Sequence, residues 1–363
     1  MEIGIVGLPH SGKTTIFNAL TKGNAATSSY SNKPNVGVVK VPDERLDVLA
    51  SIYNPRRVVA ADVTYTDIPP PQEGLGETKG IGGEYLTALQ SADALLIVVR
   101  AFQDPSVIHI YETIDPIRDT ENILMEISFS DIEILDRRTA RIIESSKSAK
   151  SDERESLKRE QDLIDRVKED VTNGIPIIDQ SLSYDETKRI SGFGFLTTKP
   201  IIVVMNVGED QLQNKDTMER QLSSAFSWKH MRTAVICAQL EMDLSQMNVE
   251  EEKEFRENFS TGESSLNQMI KVSYDVVGQI SFFTVGEDEV RAWEIPSNTP
   301  AQQAAGKIHS DLERGFIRAE VISCENLIHH GSLNEAKKHG VLRQEGKNYI
   351  VKDGEIMHVL FNV

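Results

Sequence analysis

Short runs of apolar residues alternate with segments of helical spacing in residues 1–127, and such runs resume at Ile201. Ala94 to Val99 and Ile201 to Met205 contain no polar position, which indicates strands buried on both faces of a parallel sheet. Ile3 to Val6, Val63 to Thr66 and Ala234 to Ala238 are further short strand-like runs. Thr15 to Leu20, which comes after the run Ile3 to Val6, has the spacing of a helix. Strands that alternate with helices predict an α/β fold.

A helical periodicity replaces this pattern between residues 128 and 198. A three-then-four spacing of mostly apolar residues recurs on two segments, at Ile132, Leu135, Thr139 and Ile142 and again at Leu157, Ile164, Val167 and Val171. Ser145 to Glu155 is polar and predicts the turn between them. The pattern predicts an antiparallel helical hairpin, similar to a coiled coil, that carries no chemistry of its own. Because buried strands resume at Ile201, the hairpin is inserted into the sheet domain.

The pattern changes again near residue 281. Four strands are predicted, at Phe282 to Val285, Val290 to Trp293, Tyr349 to Val351 and Ile356 to Phe361. One helix is predicted from Gln302 to Leu312. We therefore expect a sheet domain made of residues 1–127 and 199–280, a helical arm of residues 128–198, and a small α+β module of residues 281–363.

Composition narrows the class of protein. The chain has 363 residues and a formal net charge of −17, which argues against coating nucleic acid by charge alone. Its two cysteines, Cys237 and Cys324, have no metal-ligand spacing, and no apolar stretch approaches the length of a membrane span. The N-terminus runs straight into the first strand, without a signal-peptide pattern. We expect a cytoplasmic protein that does not interact with membranes.

The sequence from Gly7 to Thr14, GLPHSGKT, has the phosphate-loop pattern G-x-x-x-x-G-K-[ST]. It lies between a predicted strand and a predicted helix, the context that the motif requires. Glycines let the backbone wrap phosphates with its N–H groups, and the helix that follows directs its positive end at the same anion. Lys13 supplies charge to the outer phosphates, and Thr14 offers its hydroxyl to Mg²⁺.

Two further residues complete a predicted Mg²⁺ site. Asp67 follows the predicted strand Val63 to Thr66, at the position of the acid that holds the ion through water. Ser31, three residues before Pro34, is the candidate hydroxyl in the segment between the loop and that strand.

Base recognition is predicted at the end of the strand from Ile201 to Met205. Guanine-specific proteins of this class have Asn-Lys-x-Asp there, and their Asp accepts hydrogen bonds from N1–H and the exocyclic amine of guanine. Here the sequence is Asn206-Val207-Gly208-Glu209, without the Lys and with a carboxylate one methylene longer. Adenine cannot pair with the guanine-reading carboxylate, so its loss favours ATP.

These features, with a long C-terminal block, resemble the YchF or Obg-like ATPase family of translation-factor-related P-loop NTPases over essentially the whole chain. The stretches that carry the resemblance are Gly7 to Thr14, Pro34 to Val39, Asn206 with Glu209, Phe283 to Gly286, Val290 to Trp293, Gln303 to His309, Gly315 to Glu320 and Phe361 to Val363. The C-terminal stretches are the most specific, because no general phosphate-loop argument predicts them.

The resemblance implies a G domain with an inserted helical arm and a C-terminal TGS domain of ubiquitin-like fold. It implies slow, Mg²⁺-dependent ATP hydrolysis, ribosome association and a place in translation or stress control. It also implies that the backbone near Ala238, within Cys237 to Glu241, contacts the base. RNA contact through the arm or the TGS domain is a further hypothesis, with Lys337, Lys338, His339 and Arg343 as the best basic patch. We expect a monomer.

The candidate site residues follow from the motifs and the resemblance together. Those expected to bind the nucleotide are Pro9, His10, Ser11, Gly12, Lys13, Thr14, Thr15, Asn206, Val207, Glu209 and Ala238. Lys13, Ser31 and Asp67 are the candidate catalytic residues, and Thr14, Ser31 and Asp67 are the candidate metal ligands.

The chain departs from the family pattern at three positions. His10 stands where the family usually has Asn, which in some relatives helps to bind a monovalent cation. Ser31 replaces the usual Thr and keeps the hydroxyl. Pro70 replaces the glycine of Asp-x-x-Gly, whose N–H reaches the γ-phosphate. The resemblance also implies that Pro71 stands where related GTPases have the glutamine that orients water, a position at which this family has a hydrophobic residue.

Three other functions stay open at this point. Pro70 favours a nucleotide-binding interaction protein with negligible turnover. A GTPase is the second alternative, against which Asn206 and Glu209 argue. A small-molecule kinase is the third, but the chain has no Arg-rich lid segment.

Overall fold

The computed structural model describes residues 1–23, 34–69, 81, 83–258 and 264–362. The strands are β1 (Glu2–Val6), β2 (Asn35–Lys40), β3 (Arg57–Val59), β4 (Asp62–Asp67), β5 (Ala94–Arg100), β6 (Ile201–Asn206), β7 (Met231–Ile236), β8 (Gln279–Thr284), β9 (Glu289–Pro296), β10 (Phe316–Ser323), β11 (Arg343–Glu345) and β12 (Glu355–Phe361). The helices are α1 (Lys13–Thr21), α2 (Glu44–Tyr53), α3 (Gly83–Ser91), α4 (Pro116–Ser148), α5 (Ser151–Thr172), α6 (Tyr184–Ile190), α7 (Lys215–Ala225), α8 (Ala238–Ser245), α9 (Val249–Asn258), α10 (Ser265–Val276), α11 (Ala301–Ile308), α12 (Ser310–Arg314), α13 (Cys324–His330) and α14 (Leu333–Lys338).

The first sheet has six strands in the order β2-β4-β1-β5-β6-β7. The pairs β1–β4, β1–β5, β5–β6 and β6–β7 are all parallel. Every residue of β5 and β6 is buried, as the apolar runs Ala94 to Val99 and Ile201 to Met205 predict, and the burial extends to the polar residues Arg100 and Asn206 that end the two strands. The predicted α/β fold is confirmed. The last predicted strand of this sheet, Ala234 to Ala238, lies further towards the N-terminus in the structure, because β7 runs from Met231 to Ile236 and Ala238 begins α8.

By their contacts the residues form two compact units, Met1–Gly37 with Thr64–Leu266 and Val38–Val63 with Asn267–Val363. The three-part division made from the sequence stays a prediction. Two of its boundaries, near residues 128 and 281, fall inside α4 and β8. The sequence pattern also did not anticipate that residues 38–63 pack with the C-terminal part of the chain.

The predicted helical hairpin is present as α4 and α5, but its turn was wrong. Both helices continue through most of the polar segment and leave only Ala149 and Lys150 between them. A polar composition is compatible with a solvated helix as well as with a turn, so the sequence could not place the break. Leu135 and Ile142 of α4 pack against Leu163 and Ile164 of α5 in a core of their own.

Helix α4 begins before the predicted arm, and its first part belongs to the core beside the sheet. Ile123, Leu124 and Ile127 pack in that core. Between the two cores lies Asp131, whose carboxylate accepts hydrogen bonds of 2.7 Å from the N–H groups of Leu196 and Thr197. Burial raises the pKa of Asp131 to about 6, against the opposing effect of these hydrogen bonds. The carboxylate thus ties the start of the arm to the chain that returns from it.

The second sheet has the order β11-β10-β12-β8-β9-β3 and mixed strand directions. Pairs β8–β9, β10–β11 and β10–β12 are antiparallel, whereas β12–β8 and β3–β9 are parallel. Ala301, Ala304 and Ala305 of α11 pack in the core on this sheet. The predicted α+β module is therefore present.

Two predicted elements of this module differ in the structure. The single helix expected over Gln302 to Leu312 is broken at His309, which has extended backbone angles and whose Nδ1 accepts a hydrogen bond from the N–H of Asp311 to cap α12. The strand expected at Tyr349 to Val351 is reduced to an isolated bridge between Ile350 and Pro300. The break at His309 comes with a side-chain-to-backbone hydrogen bond, which hydrophobic spacing does not encode.

Residues 38–63 contribute β3 and α2 to the second unit. β3 extends the sheet beside β9, with Val58 opposite Val290. In α2, Arg45 forms an ion pair of 2.6 Å with Asp353, and its guanidinium lies over the ring of Phe283 at 5.2 Å. Residues 38–63, which lie between Gly37 and Thr64 of the first unit, therefore belong to the second unit.

Across the described part of the chain, no helix combines the length and apolar character needed to span a bilayer.

Replacing Asp131 by Asn tests the link between the arm and the returning chain. An amide has one acceptor oxygen, so one of the two buried N–H donors loses its partner, and we expect the free energy of unfolding to fall by about 1–3 kcal/mol. Urea unfolding followed by circular dichroism measures this. Asp136→Asn, which removes only an exposed carboxylate paired with Lys168, is the matched control. Equal stability of the two variants would contradict the assigned role.

Candidate functional site

The candidate residues collect at one edge of the first sheet. Because its strands are parallel, their carboxyl ends lie on the same edge, where ligands bind in open α/β folds. The phosphate loop follows β1, and Asp67 ends β4. Asn206 ends β6, and Ala238 follows β7. Ser31, Pro70 and Pro71 lie outside the described residues, so their predicted roles stay predictions.

The phosphate loop has the backbone that its glycines predict. Gly12 has φ +94°, in the left-handed region, and stands immediately before α1. A Cβ at Gly7 would lie 2.3 Å from the carbonyl oxygen of Val98, so the loop runs too close to β5 for any side chain there. His10 also has a left-handed φ of +62° and is exposed, and Pro9 precedes it at the surface of the loop. Thr15 is half-buried in the first turn of α1.

Lys13 lies across the inside of the loop. Its Nζ donates to the carbonyl oxygens of Gly7 at 2.9 Å and Leu8 at 3.0 Å, and the side chain is buried. Burial lowers the pKa of Lys13 to about 8, and the charge of Asp67 opposes part of this shift. The ammonium is therefore held at the phosphate position in a poorly solvated environment, where an anion would favour its charged form.

The predicted metal ligands are brought together where the structure describes them. The hydroxyl of Thr14 donates to Oδ2 of Asp67 at 2.8 Å, and Asp67 is buried at the end of its strand. A hydroxyl and a carboxylate oxygen at this distance are the donor types that Mg²⁺ prefers. The pair therefore fits a Mg²⁺ ion, for which Thr14 and Asp67 would supply oxygen donors.

One buried hydroxyl beside the loop also points to a ligand. Ser11 Oγ has no hydrogen-bond partner among the described residues and lies next to the backbone of Gly7. Buried polar atoms are almost always paired, so an unpaired hydroxyl inside a phosphate loop fits a site that closes around an anion.

Asn206 connects the phosphate loop to the predicted base-binding segment. Its Nδ2 donates to the carbonyl oxygen of Ser11 at 3.0 Å, and its Oδ1 accepts from the N–H of Ala238 at 3.0 Å. The side chain is 4% exposed. A single amide therefore fixes the loop after β1 and the start of α8 relative to one another.

The other residues of the base motif have different environments. Val207 is buried, and its N–H donates to the carbonyl oxygen of Ile236. Glu209 is exposed at the start of a short 3₁₀ turn, Glu209–Asn214. Its carboxylate is thus free of the core, at the same sheet edge as Asn206. Its contact with a base stays a prediction.

Two buried charged residues at this edge escaped the sequence analysis. Arg100 ends β5, and its side chain is 2% exposed. The one signal of its burial in the sequence was its position directly after the apolar run Ala94 to Val99. Glu241 in α8 is buried and accepts hydrogen bonds from Arg256 at 2.8 Å and from the N–H of Ser265 at 3.0 Å. Its partners are far away in sequence, so no local pattern could identify it.

Replacing Gly12 by Ala tests the contact between the loop and Asn206. A Cβ at Gly12 would lie 2.2 Å from Asn206 Nδ2, on a backbone whose φ of +94° already disfavours side chains. We expect binding of a non-hydrolysable ATP analogue to weaken by about tenfold or more, because loop and amide cannot keep their positions. Calorimetric titration measures the Kd. Gly192→Ala, whose Cβ meets nothing within 4 Å, should bind as the parent does.

The pKa of Lys13 predicts a pH dependence of binding. In the free protein the ammonium loses its proton near pH 8, and nucleotide phosphates raise this pKa by favouring the charged form. Binding therefore takes up a proton above pH 8, and the apparent affinity should fall by up to about tenfold per pH unit there. Titrations between pH 7.5 and 9.5, above the phosphate ionisation, measure the effect. A constant affinity over this range would contradict it, and Lys13→Met should remove the pH dependence together with most of the affinity.

Comparison with known proteins gives matches over the whole chain. Two family models match, one described as "50S ribosome-binding GTPase" over residues 2–135 and one for the YchF GTPase C-terminal domain, described as "Protein of unknown function (DUF933)", over residues 279–362. The Ribosome-binding ATPase YchF of Bacillus subtilis is 37% identical, and that of Mycoplasma genitalium is 39% identical, each over the full length of both chains.

A solved structure agrees with these matches. The Schizosaccharomyces pombe YchF GTPase superposes with a TM-score of 0.87 at 32% identity and covers 99% of this chain and 97% of its own. With the phosphate loop, the Thr14–Asp67 pair and the Asn206 bridge all in place, the full-length identity shows that this chain belongs to the YchF family.

Proposed function

We propose that this protein is a Mg²⁺-dependent ATPase of low turnover that binds the ribosome and regulates translation. The observation that carries the proposal is the bridge made by Asn206 between the phosphate loop and Ala238, beside a buried Lys13. An arrangement that joins a phosphate site to a base site suits a nucleoside triphosphate better than a simple phosphate. The names of the relatives from Bacillus subtilis and Mycoplasma genitalium, ribosome-binding ATPases, support the same reading.

The choice of ATP depends on what stands in place of the guanine-reading residues. Asn206 is kept, whereas Val207 and Glu209 replace the Lys and Asp of the guanine motif. A buried carboxylate that meets adenine would be left without partners, which is how guanine-specific sites reject ATP. Glu209 is exposed, so water can solvate its carboxylate when adenine is bound. Binding of adenine therefore does not leave a buried carboxylate without a hydrogen-bond partner at Glu209.

Each residue near the phosphates has a proposed role. Lys13 neutralises charge on the outer phosphates, and its contacts with Gly7 and Leu8 keep it in position before nucleotide arrives. Thr14 and Asp67 would hold Mg²⁺, which when bound supplies positive charge at the β- and γ-phosphates. Ser31 is proposed as the remaining hydroxyl ligand. Turnover is slow in this proposal because Pro71 stands where related GTPases have the glutamine that orients water.

Ribosome binding is proposed from the relatives' names, and a cytoplasmic location with it. The monomeric state stays a prediction. RNA contact at the predicted basic patch has less support, because its cations have carboxylate partners. Lys337 lies 3.5 Å from Glu320, and Arg343 lies 2.6 Å from Glu355. Lys338 is likewise paired, with Glu335.

Two alternatives have specific support. The Schizosaccharomyces pombe relative is named a GTPase, so guanine-nucleotide binding needs a direct test. Pro70 removes the N–H that relatives direct at the γ-phosphate, which favours nucleotide binding without turnover.

The nucleotide preference tests the proposal directly. We expect a non-hydrolysable ATP analogue to bind more tightly than the GTP analogue in calorimetric titrations with Mg²⁺ present. Single-turnover phosphate release then separates slow hydrolysis from binding alone. Co-sedimentation with ribosomes, with and without the analogue, tests the partner. Tighter binding of the GTP analogue would overturn the choice of base, and binding of neither would overturn the nucleotide site.

A rebuilt guanine motif is the matched variant for this experiment. Val207→Lys with Glu209→Asp restores Asn-Lys-x-Asp, and we expect the ratio of ATP to GTP affinity to fall by about tenfold or more. Glu219→Asp makes the same carboxylate change on α7, outside the motif, and should leave the ratio unchanged. An unchanged ratio in the rebuilt motif would mean that Val207 and Glu209 do not decide the base.

A further inference from the structure

Arg100 is a buried arginine whose partners are all in the loop that follows it. Its Nε donates to the carbonyl oxygen of Phe102 at 3.2 Å, Nη1 to that of Val107 at 3.0 Å and Nη2 to that of Asp104 at 3.2 Å. The guanidinium also lies 4.6 Å from the centre of the Phe102 ring. One side chain therefore fixes both the course of the loop and the position of its aromatic residue.

This loop contacts both halves of the nucleotide site. The Phe102 ring lies against Gly12, with Cε1 3.9 Å from where a Cβ of that glycine would stand. The N–H groups of Ala101 and Phe102 both donate to the carbonyl oxygen of Asn206, at 2.8 Å and 3.2 Å. Arg100 and Asn206 are themselves opposite each other in the register of β5 and β6.

The choice of arginine needs a reason beyond packing. A buried guanidinium costs free energy through lost hydration, and an apolar side chain could fill the same space. What the planar guanidinium adds is direction, because its N–H groups orient several carbonyls at once. Here the oriented segment is the one that meets Gly12 and Asn206.

We propose that Arg100 is a positioning residue for nucleotide binding. It holds the Phe102 ring against Gly12. It also holds the backbone N–H groups of residues 101 and 102 in their hydrogen bonds to the backbone carbonyl oxygen of Asn206. The phosphate loop and the base-binding amide thus keep the relative positions that the nucleotide requires. The inference rests on the proposed function, because it assumes that the nucleotide binds between these two segments.

Two variants test this role. Arg100→Lys keeps the positive charge but loses the planar set of donors. Phe102→Leu keeps an apolar side chain and leaves no buried carbonyl unpaired, so it should fold. We expect each to raise the Kd of the ATP analogue by about fivefold or more and to change the ratio of ATP to GTP affinity. Calorimetric titration gives both constants, and thermal unfolding gives the Tm of each variant.

Leu163→Ala is the control for stability alone. It opens a cavity in the core of the arm, so it should lower Tm without changing the Kd or the affinity ratio. If Phe102→Leu and Arg100→Lys also leave the Kd and the ratio unchanged, Arg100 is only a loop anchor and the inference is overturned. If Arg100→Lys does not fold, Phe102→Leu alone decides. Failure of the parent protein to bind ATP would instead overturn the proposed function.

Discussion

The side-chain amide of Asn206 is the contact on which the candidate site depends. It gives one hydrogen bond to the phosphate loop and receives one from the start of α8, while the backbone carbonyl oxygen of Asn206 accepts the N–H groups of residues 101 and 102. Three segments that follow three different strands meet at this one residue. Because it is buried, a lost hydrogen bond there would leave an unpaired group with no water to replace it. The geometry of the site is therefore a property of the sheet edge as a whole.

Buried charge is the second constraint at this edge. Lys13 and Arg100 are both buried, and both direct their donors at backbone carbonyls. Such contacts fix direction but do not neutralise charge, so Lys13 stays in an environment that favours an incoming anion. In the proposed function Lys13 meets the nucleotide, whereas Arg100 holds the backbone of the loop that follows β5.

The two compact units share their chain in ways that a linear division does not capture. After β2 the chain leaves the first sheet and contributes α2 and β3 to the second unit. It then returns to the first sheet in β4. Helix α4 likewise begins in the core beside the sheet and ends in the core of the arm. In both cases hydrogen bonds and packing between residues far apart in sequence decide where a segment belongs.

The sequence by itself predicted the parallel sheet that the structure has, and it located the phosphate-loop motif with Lys13 and Thr14, the acid Asp67 and the motif at Asn206, whose binding roles stay predictions. These are local signals, because apolar runs and motif spacing record what adjacent residues need. Only the tertiary structure decided the end of the hairpin at Ala149, the break at His309 and the membership of residues 38–63. It alone brought Arg100 and Phe102 to the site. Their roles depend on partners supplied by other strands, and strand order and register are not written in any single segment.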